Sequence, residues 1–107
     1  METQIHVGGR LSINPQRIIR LKGDINYTTI YYADGKKKTV VATTLKKIQS
    51  RLEPFPYFFR ISRNTIINLN CIDQIRDNDI LLITGDIERA SRRRKRDFFG
   101  QMLLAAN

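Results

Sequence analysis

FFRISRNTIINLN, residues Phe58 to Asn70, is the stretch from which the rest of the chain can be read. Apolar residues stand on both sides of a short polar knot, Ser62-Arg63-Asn64, with Arg60 just before it. An Arg and an Asn held at the tip of a turn suit the reading of base edges, because Arg can pair bidentately with guanine and Asn with adenine. Phe58, Phe59, Ile61, Ile66, Ile67 and Leu69 would anchor such a tip in a core and so give it a rigid base. A plain surface turn between two core elements fits the same residues, and this stretch alone leaves both readings open.

The chain has 107 residues, the size of one domain, and 41% of them are hydrophobic, enough for a core that needs no disulfide or metal. Cys71 is the single cysteine, which excludes an internal disulfide and a multi-cysteine zinc site; it reads as a small core residue. Nineteen Lys and Arg against ten Asp and Glu give a net charge of +9, which points to a polyanionic partner. Charge leaves DNA, RNA, an acidic protein and an anionic membrane surface open. A membrane-surface reading needs a long basic amphipathic helix with an aromatic face, which the sequence lacks. With no bilayer-spanning apolar run and no signal-peptide pattern, a cytoplasmic protein without membrane contact is expected.

Outward from the knot, the pattern is mostly that of strands. Residues 1–13 read as an N-terminal arm or edge strand, carrying Gly8-Gly9 and the lone His6, and residues 14–107 as a single domain. Arg17 to Lys22 reads as a strand ending at Gly23-Asp24, and Asn26 to Ala33 as a second, rich in β-branched and aromatic residues. Asp34-Gly35 signals a hairpin, with Lys37 to Ala42 returning and Lys36, Lys37 and Lys38 making its edge basic. Thr43 or Thr44 caps a helix of about three turns, with Leu45, Ile48 and Leu52 on one face, its lysines in solvent and Pro54 ending it. After the strand Phe58 to Ile61, the residues beyond Asn64 fit either a strand or a short helical turn capped by Ser62 or Asn64. Two turns, Asp77-Asn78-Asp79 and Gly85-Asp86, then mark a β-meander. A C-terminal helix over Ser91 to Leu104, capped by Ser91, is indicated by the pairs Phe98/Met102 and Phe99/Leu103, with Gly100 against it.

Enzyme signatures are missing. The sequence has no phosphate-cradling glycine loop, nucleophile elbow or metal-binding cluster, and no cofactor or metal is expected. Asp77 and Asp79 are explained by turn chemistry. By contrast, Arg89 to Arg96 holds six basic residues in eight positions: Arg89, Arg92, Arg93, Arg94, Lys95 and Arg96. Cations at a helix N-terminus oppose the helix dipole, and a phosphate backbone would offset that.

The order of GDINYTTIYYADGK, TTLKKIQSRL, FFRISRNTIINLNCIDQI and SRRRKRDFF resembles the LytTR DNA-binding domain of bacterial LytR/AlgR-type response regulators, over about Ile18 to Phe99. The ordered set is specific where each piece is weak. The resemblance implies a mainly β fold, an elongated stack of small antiparallel sheets with one short helix packed on it. It also implies loops that enter successive major grooves of double-stranded DNA. Carried over, the base-reading candidates are Asn26, Tyr27, Arg63, Asn64 and Arg93. The phosphate candidates are Arg60, Ser62, Lys36, Lys37, Lys38, Arg89, Arg92, Arg94, Lys95 and Arg96. Asn68 also matches a motif position, with a structural role expected. Two copies on tandem half-sites, each a monomer in free solution, are further expectations, with Met102 to Ala106 as the apolar candidates for a self-contact. No phospho-acceptor carboxylate cluster in a βα domain is visible, so the chain is either a stand-alone regulator or part of a larger one. An RNA-binding module, with Tyr27, Tyr31 and Tyr32 as stacking candidates, and a basic protein-interaction module are the alternatives.

Overall fold

The computed structural model describes residues 3–106, with side chains as far as Leu103. Met1 and Glu2 of the expected arm, and the side chains of Leu104, Ala105 and Ala106, lie outside the described residues. The arm region forms an antiparallel ribbon of β1 (Ile5–Gly8) and β2 (Leu11–Ile13), in which Ile5, Val7 and Ile13 are buried. His6 stays on the exposed side and its Nε2 is 2.7 Å from the Gly9 carbonyl oxygen, to which it donates.

The main sheet has five antiparallel strands: β3 (Ile18–Asp24), β4 (Tyr27–Tyr32), β5 (Lys38–Val41), β6 (Phe58–Ser62) and β7 (Thr65–Asn68). They lie in the order β5-β4-β3-β7-β6. Asp24 pairs with Tyr27, so the turn falls on Ile25-Asn26, one step beyond the expected break at Gly23-Asp24, which belongs to β3. Ile25 takes a left-handed φ of 52°, a conformation that disfavours β-branched residues. Asp34-Gly35 turns as expected, with Gly35 at φ 74° and its N–H on the Tyr32 carbonyl.

Both structures that fit the residues after Asn64 are present in succession. β7 is followed by a 3-10 turn, Leu69–Cys71, and its cap is Asn68 in place of the expected Ser62 or Asn64. Asn68 is 2% exposed; its Nδ2 donates to the Ile18 carbonyl at 2.9 Å and its Oδ1 accepts from Asn70 N–H at 2.9 Å. The meander β8 (Ile72–Arg76), β9 (Asp79–Leu82) and β10 (Ile87–Glu88) forms a separate three-stranded sheet.

Helix α1 (Leu45–Leu52) begins at Thr44, whose Oγ1 accepts from Lys47 N–H. Helix α2 (Arg92–Ala106) begins after Ser91, whose Oγ accepts from Arg94 N–H, and it runs through Gly100. The two helices cover opposite faces of the main sheet. On one face, Leu45, Ile48 and Leu52 of α1 meet Ile18, Leu21, Ile30 and Ile66, with the β1–β2 ribbon beside them. On the other, Phe98 of α2 and Ile80 and Leu82 of β9 meet Ile19, Ile61 and Ile67. Phe98 is fully buried, edge-on to Phe59 at 5.7 Å, which stabilises by about 1.5–3 kcal/mol from burial alone. Cys71 is buried in this second core, and burial pushes its thiol pKa up, as befits an inert apolar residue.

A charged cluster joins the two larger sheets. Arg20 of β3 donates to Glu88 of β10, its Nη2 lies 3.5 Å from Asp86 Oδ1, and Lys22 Nζ is 3.0 Å from Glu88 Oε2. The Arg20 guanidinium also sits 4.3 Å from the ring centroid of Tyr31. This cluster ties the main sheet to the meander sheet in a compact molecule that measures 39 × 32 × 26 Å.

Asn68→Ala leaves the buried Ile18 carbonyl without its partner, so a stability loss of about 1–3 kcal/mol is expected. Urea unfolding checks this: the midpoint should fall while the denaturant slope stays the same.

Candidate nucleic-acid interface

Antiparallel register decides which loops become neighbours. The β3–β4 turn, the β6–β7 turn and the N-terminus of α1 all emerge at one end of the main sheet, because β7 pairs with β3 through Lys22 and Thr65, and Val41 of β5 lies opposite Thr28. Two backbone hydrogen bonds fix the assembly. Gly23 N–H donates to the Asn64 carbonyl at 2.8 Å, and Ser91 N–H donates to the Ile61 carbonyl at 2.7 Å, which brings the start of α2 to the same end. The result is a cleft of about 600 Å³ lined in part by Asp24, Ile25, Lys46, Arg63, Asn64 and Ser91.

Glycine is required where these elements converge. A Cβ on Gly23 would lie 2.9 Å from Leu45 Cβ, so β3 can approach α1 this closely only without a side chain.

Arg60 organises the polar knot from below. Its Nη1 donates to Gln49 Oε1 at 2.7 Å, its Nε to the Ser62 carbonyl at 3.3 Å and its Nη2 to the Arg63 carbonyl. Burial, and then the positive charge of Arg94, pull its pKa below the ordinary arginine value. Ser62 Oγ and Thr65 Oγ1 both donate to Asn64 Oδ1, at 3.0 and 3.3 Å. With both lone pairs of that oxygen engaged, Asn64 offers its NH2 to a ligand rather than a paired donor and acceptor. Arg63 is exposed, and among the described residues its guanidinium has no hydrogen bond or ion pair.

The remaining candidates fall into three places. Asn26 and Tyr27 are exposed at the β3–β4 turn, beside the knot. Arg93 is exposed on the first turn of α2, while Arg94 lies 3.8 Å from Asp97 and Arg89 is held by Asp79, which raises its pKa. Arg92 and Lys95 face another hollow, of about 290 Å³, floored by Ile80, Phe98 and Phe99; Arg96 is exposed. Lys36, Lys37 and Lys38 sit at the β4–β5 turn, at the opposite end of the sheet and about 20 Å from the knot for a six-residue strand.

Lys46 and Ile25 line the cleft although the sequence reading put Lys46 in solvent and gave Ile25 no part. Ile25 carried one visible signal, a branched apolar residue where a two-residue hairpin turn normally has Gly, Asn or Asp. The stacking tyrosines of an RNA reader are not arrayed: Tyr31 is covered by Arg20, and Tyr32 Oη is bonded to Thr39 Oγ1 at 2.8 Å. Among the described residues there is no cluster of three His, Cys, Asp or Glu that could hold a metal ion, and no helix long and apolar enough to cross a membrane.

The fold is thus mainly β, with a basic end built from loops and the start of α2. A family model described as the LytTr DNA-binding domain matches residues 8–102, and the chain belongs to that family. Double-stranded DNA is thus its partner, in keeping with a DNA-binding family. Among solved structures, the chain is similar to the LytTr DNA-binding domain of a methyl-accepting/DNA response regulator from Bacillus cereus. The TM-score is 0.77 at 14% identity, covering 95% of this chain and 98% of that one, a likeness of fold. No curated protein matches in sequence.

Removal of the Arg60 side chain by Arg60→Ala should free the knot without touching the β3–β4 hairpin. Amide hydrogen exchange at Arg63 to Thr65 is expected to quicken by about tenfold or more, for roughly 1.5 kcal/mol of lost support. Exchange within Thr28 to Ile30 should be unchanged.

Proposed function

We propose that the gathered turns enter the major groove of double-stranded DNA, with Arg63 reading guanine and Asn26, Tyr27 and Asn64 contacting neighbouring base edges. Arg93 reads from the start of α2, in the next stretch of groove. The observation that carries this reading is the Arg63 guanidinium, unpartnered among the described residues and held at a turn tip by a second arginine spent wholly on positioning it. Arg60 therefore acts through Arg63 and not on a phosphate. Ser62, whose hydroxyl is used on Asn64, serves the same end.

Phosphate contacts come from the cations near this end that have no internal partner among the described residues, Arg92, Lys95, Arg96 and Lys46, with Arg94 and Arg89 partly neutralised by Asp97 and Asp79. Lys36, Lys37 and Lys38 protect the edge strand β5 from pairing with other chains, a role that suits their distance from the knot. One copy covers little DNA, so two monomers load on tandem half-sites to gain specificity, and the protein acts in the cytoplasm as a transcriptional regulator.

Arg63→Ala should lower the preference for the selected site over random DNA by about 1–3 kcal/mol, measured by competition binding. Lys37→Ala should leave both affinities nearly unchanged. Each phosphate contacted should contribute about −0.9 to the slope of log K against log salt, so a slope of several units is expected and a flat one would exclude the electrostatic footprint. Shifting one half-site by half a helical turn should abolish joint loading; sedimentation of the free protein should give a monomer.

A further inference from the structure

We propose that Ile25 is a specificity residue whose side chain packs against the C5-methyl group of a thymine in the major groove. This rests on the major-groove reading above and adds to it a contact of different chemistry. Ile25 is 88% exposed, the most exposed large apolar residue on the described surface. It stands at the tip of the β3–β4 turn and lines the same cleft as Arg63 and Asn64, so whatever approaches those two also meets Ile25.

Exposure alone says little, since single apolar residues are common on protein surfaces. The backbone supplies the second observation. At φ 52° a branched side chain is strained, and Gly, Asn or Asp would relieve that strain at no cost in packing, because the side chain touches almost nothing in the free protein. A residue that opposes its own turn and contributes nothing to the core is kept for a contact outside the protein. An sec-butyl group has no donor or acceptor to offer a base edge. The single apolar feature on the major-groove edges of the four bases is the thymine methyl. Asn26 beside it and Arg63 across the cleft would supply the hydrogen bonds to the adjoining positions.

The test uses the preferred duplex recovered from a random library with the wild-type protein. Each thymine is replaced singly by deoxyuridine, which lacks only the methyl, and in a parallel set each guanine by 7-deazaguanine, which lacks the N7 acceptor that Arg63 would use. The wild type is expected to lose about fourfold in affinity at one or two thymines, the factor for one buried methyl. Ile25→Gly should bind the thymine and uracil duplexes equally at those positions, keep the 7-deazaguanine losses, and unfold in urea no earlier than the wild type. A wild type indifferent to every uracil, or an Ile25→Gly variant with the same uracil losses, overturns the assignment of Ile25. If 7-deazaguanine still lowers affinity in that case, the arginine reading stands by itself. Indifference to both replacements overturns both.

Discussion

A strand buried on both faces must satisfy all its polar groups from within, and β7 is that strand. Ile66 points into the core under α1 and Ile67 into the core under α2, so every residue from Thr65 to Asn68 is out of water. The ladder with β3 covers Arg20 to Lys22 and stops short of Ile18, where β3 carries a bulge against β4. The Asn68 side chain reaches across and takes the Ile18 carbonyl, doing for the sheet what backbone pairing does elsewhere. Its other end caps the 3-10 turn that leads the chain out of the main sheet and into the meander. One amide thus closes the middle of one sheet and starts the connection to the next.

The charges of the domain divide according to work. Arg20 and Lys22 are spent with Asp86 and Glu88 on joining two sheets, Arg60 on the polar knot, and Arg51 on the His6 carbonyl of the N-terminal ribbon. Glu88 is buried, and removal of either member of the Arg20 pair would strand a charge in a place with little water. Not every cation of the sequence is therefore free for an outside partner. Of the cations left over, Arg63 lies on the knot, Lys46 and Lys47 on α1's first turn and Arg92, Arg93, Lys95 and Arg96 on α2's first two turns, while Lys36, Lys37 and Lys38 lie at the far end of the sheet.

Most elements were legible because each carried a local signal. Thr44 before an apolar stripe, Asp34-Gly35 between two β-rich runs, and Ser91 before paired phenylalanines fixed α1, the β4–β5 hairpin and α2 by capping and turn chemistry. The knot at Ser62 to Asn64 stood out by polarity within an apolar stretch. Three features were not legible, and each depends on contacts between distant residues. The β3–β4 turn slid onto Ile25-Asn26 because Gly23 was needed for the approach to Leu45 and for its bond to Asn64. The bond from Arg60 to Gln49 carried no sequence signal because Gln49 lies on a different element. The distance of Lys36 to Lys38 from the knot was not legible because composition has no direction; the sheet register puts them at the far end.

The bonds that gather the turns, Gly23 to Asn64 and Ser91 to Ile61, run from main chain to main chain. Main-chain bonds are indifferent to the side chains that project from them. The residues at positions 25, 26, 63 and 93 can therefore be exchanged with little effect on how the turns are held together. A lineage carrying this scaffold can change the chemistry of its exposed turns by point substitution without dismantling the fold. The surface these turns present and the architecture beneath it are written in separate atoms, and inheritance can revise the first while leaving the second intact.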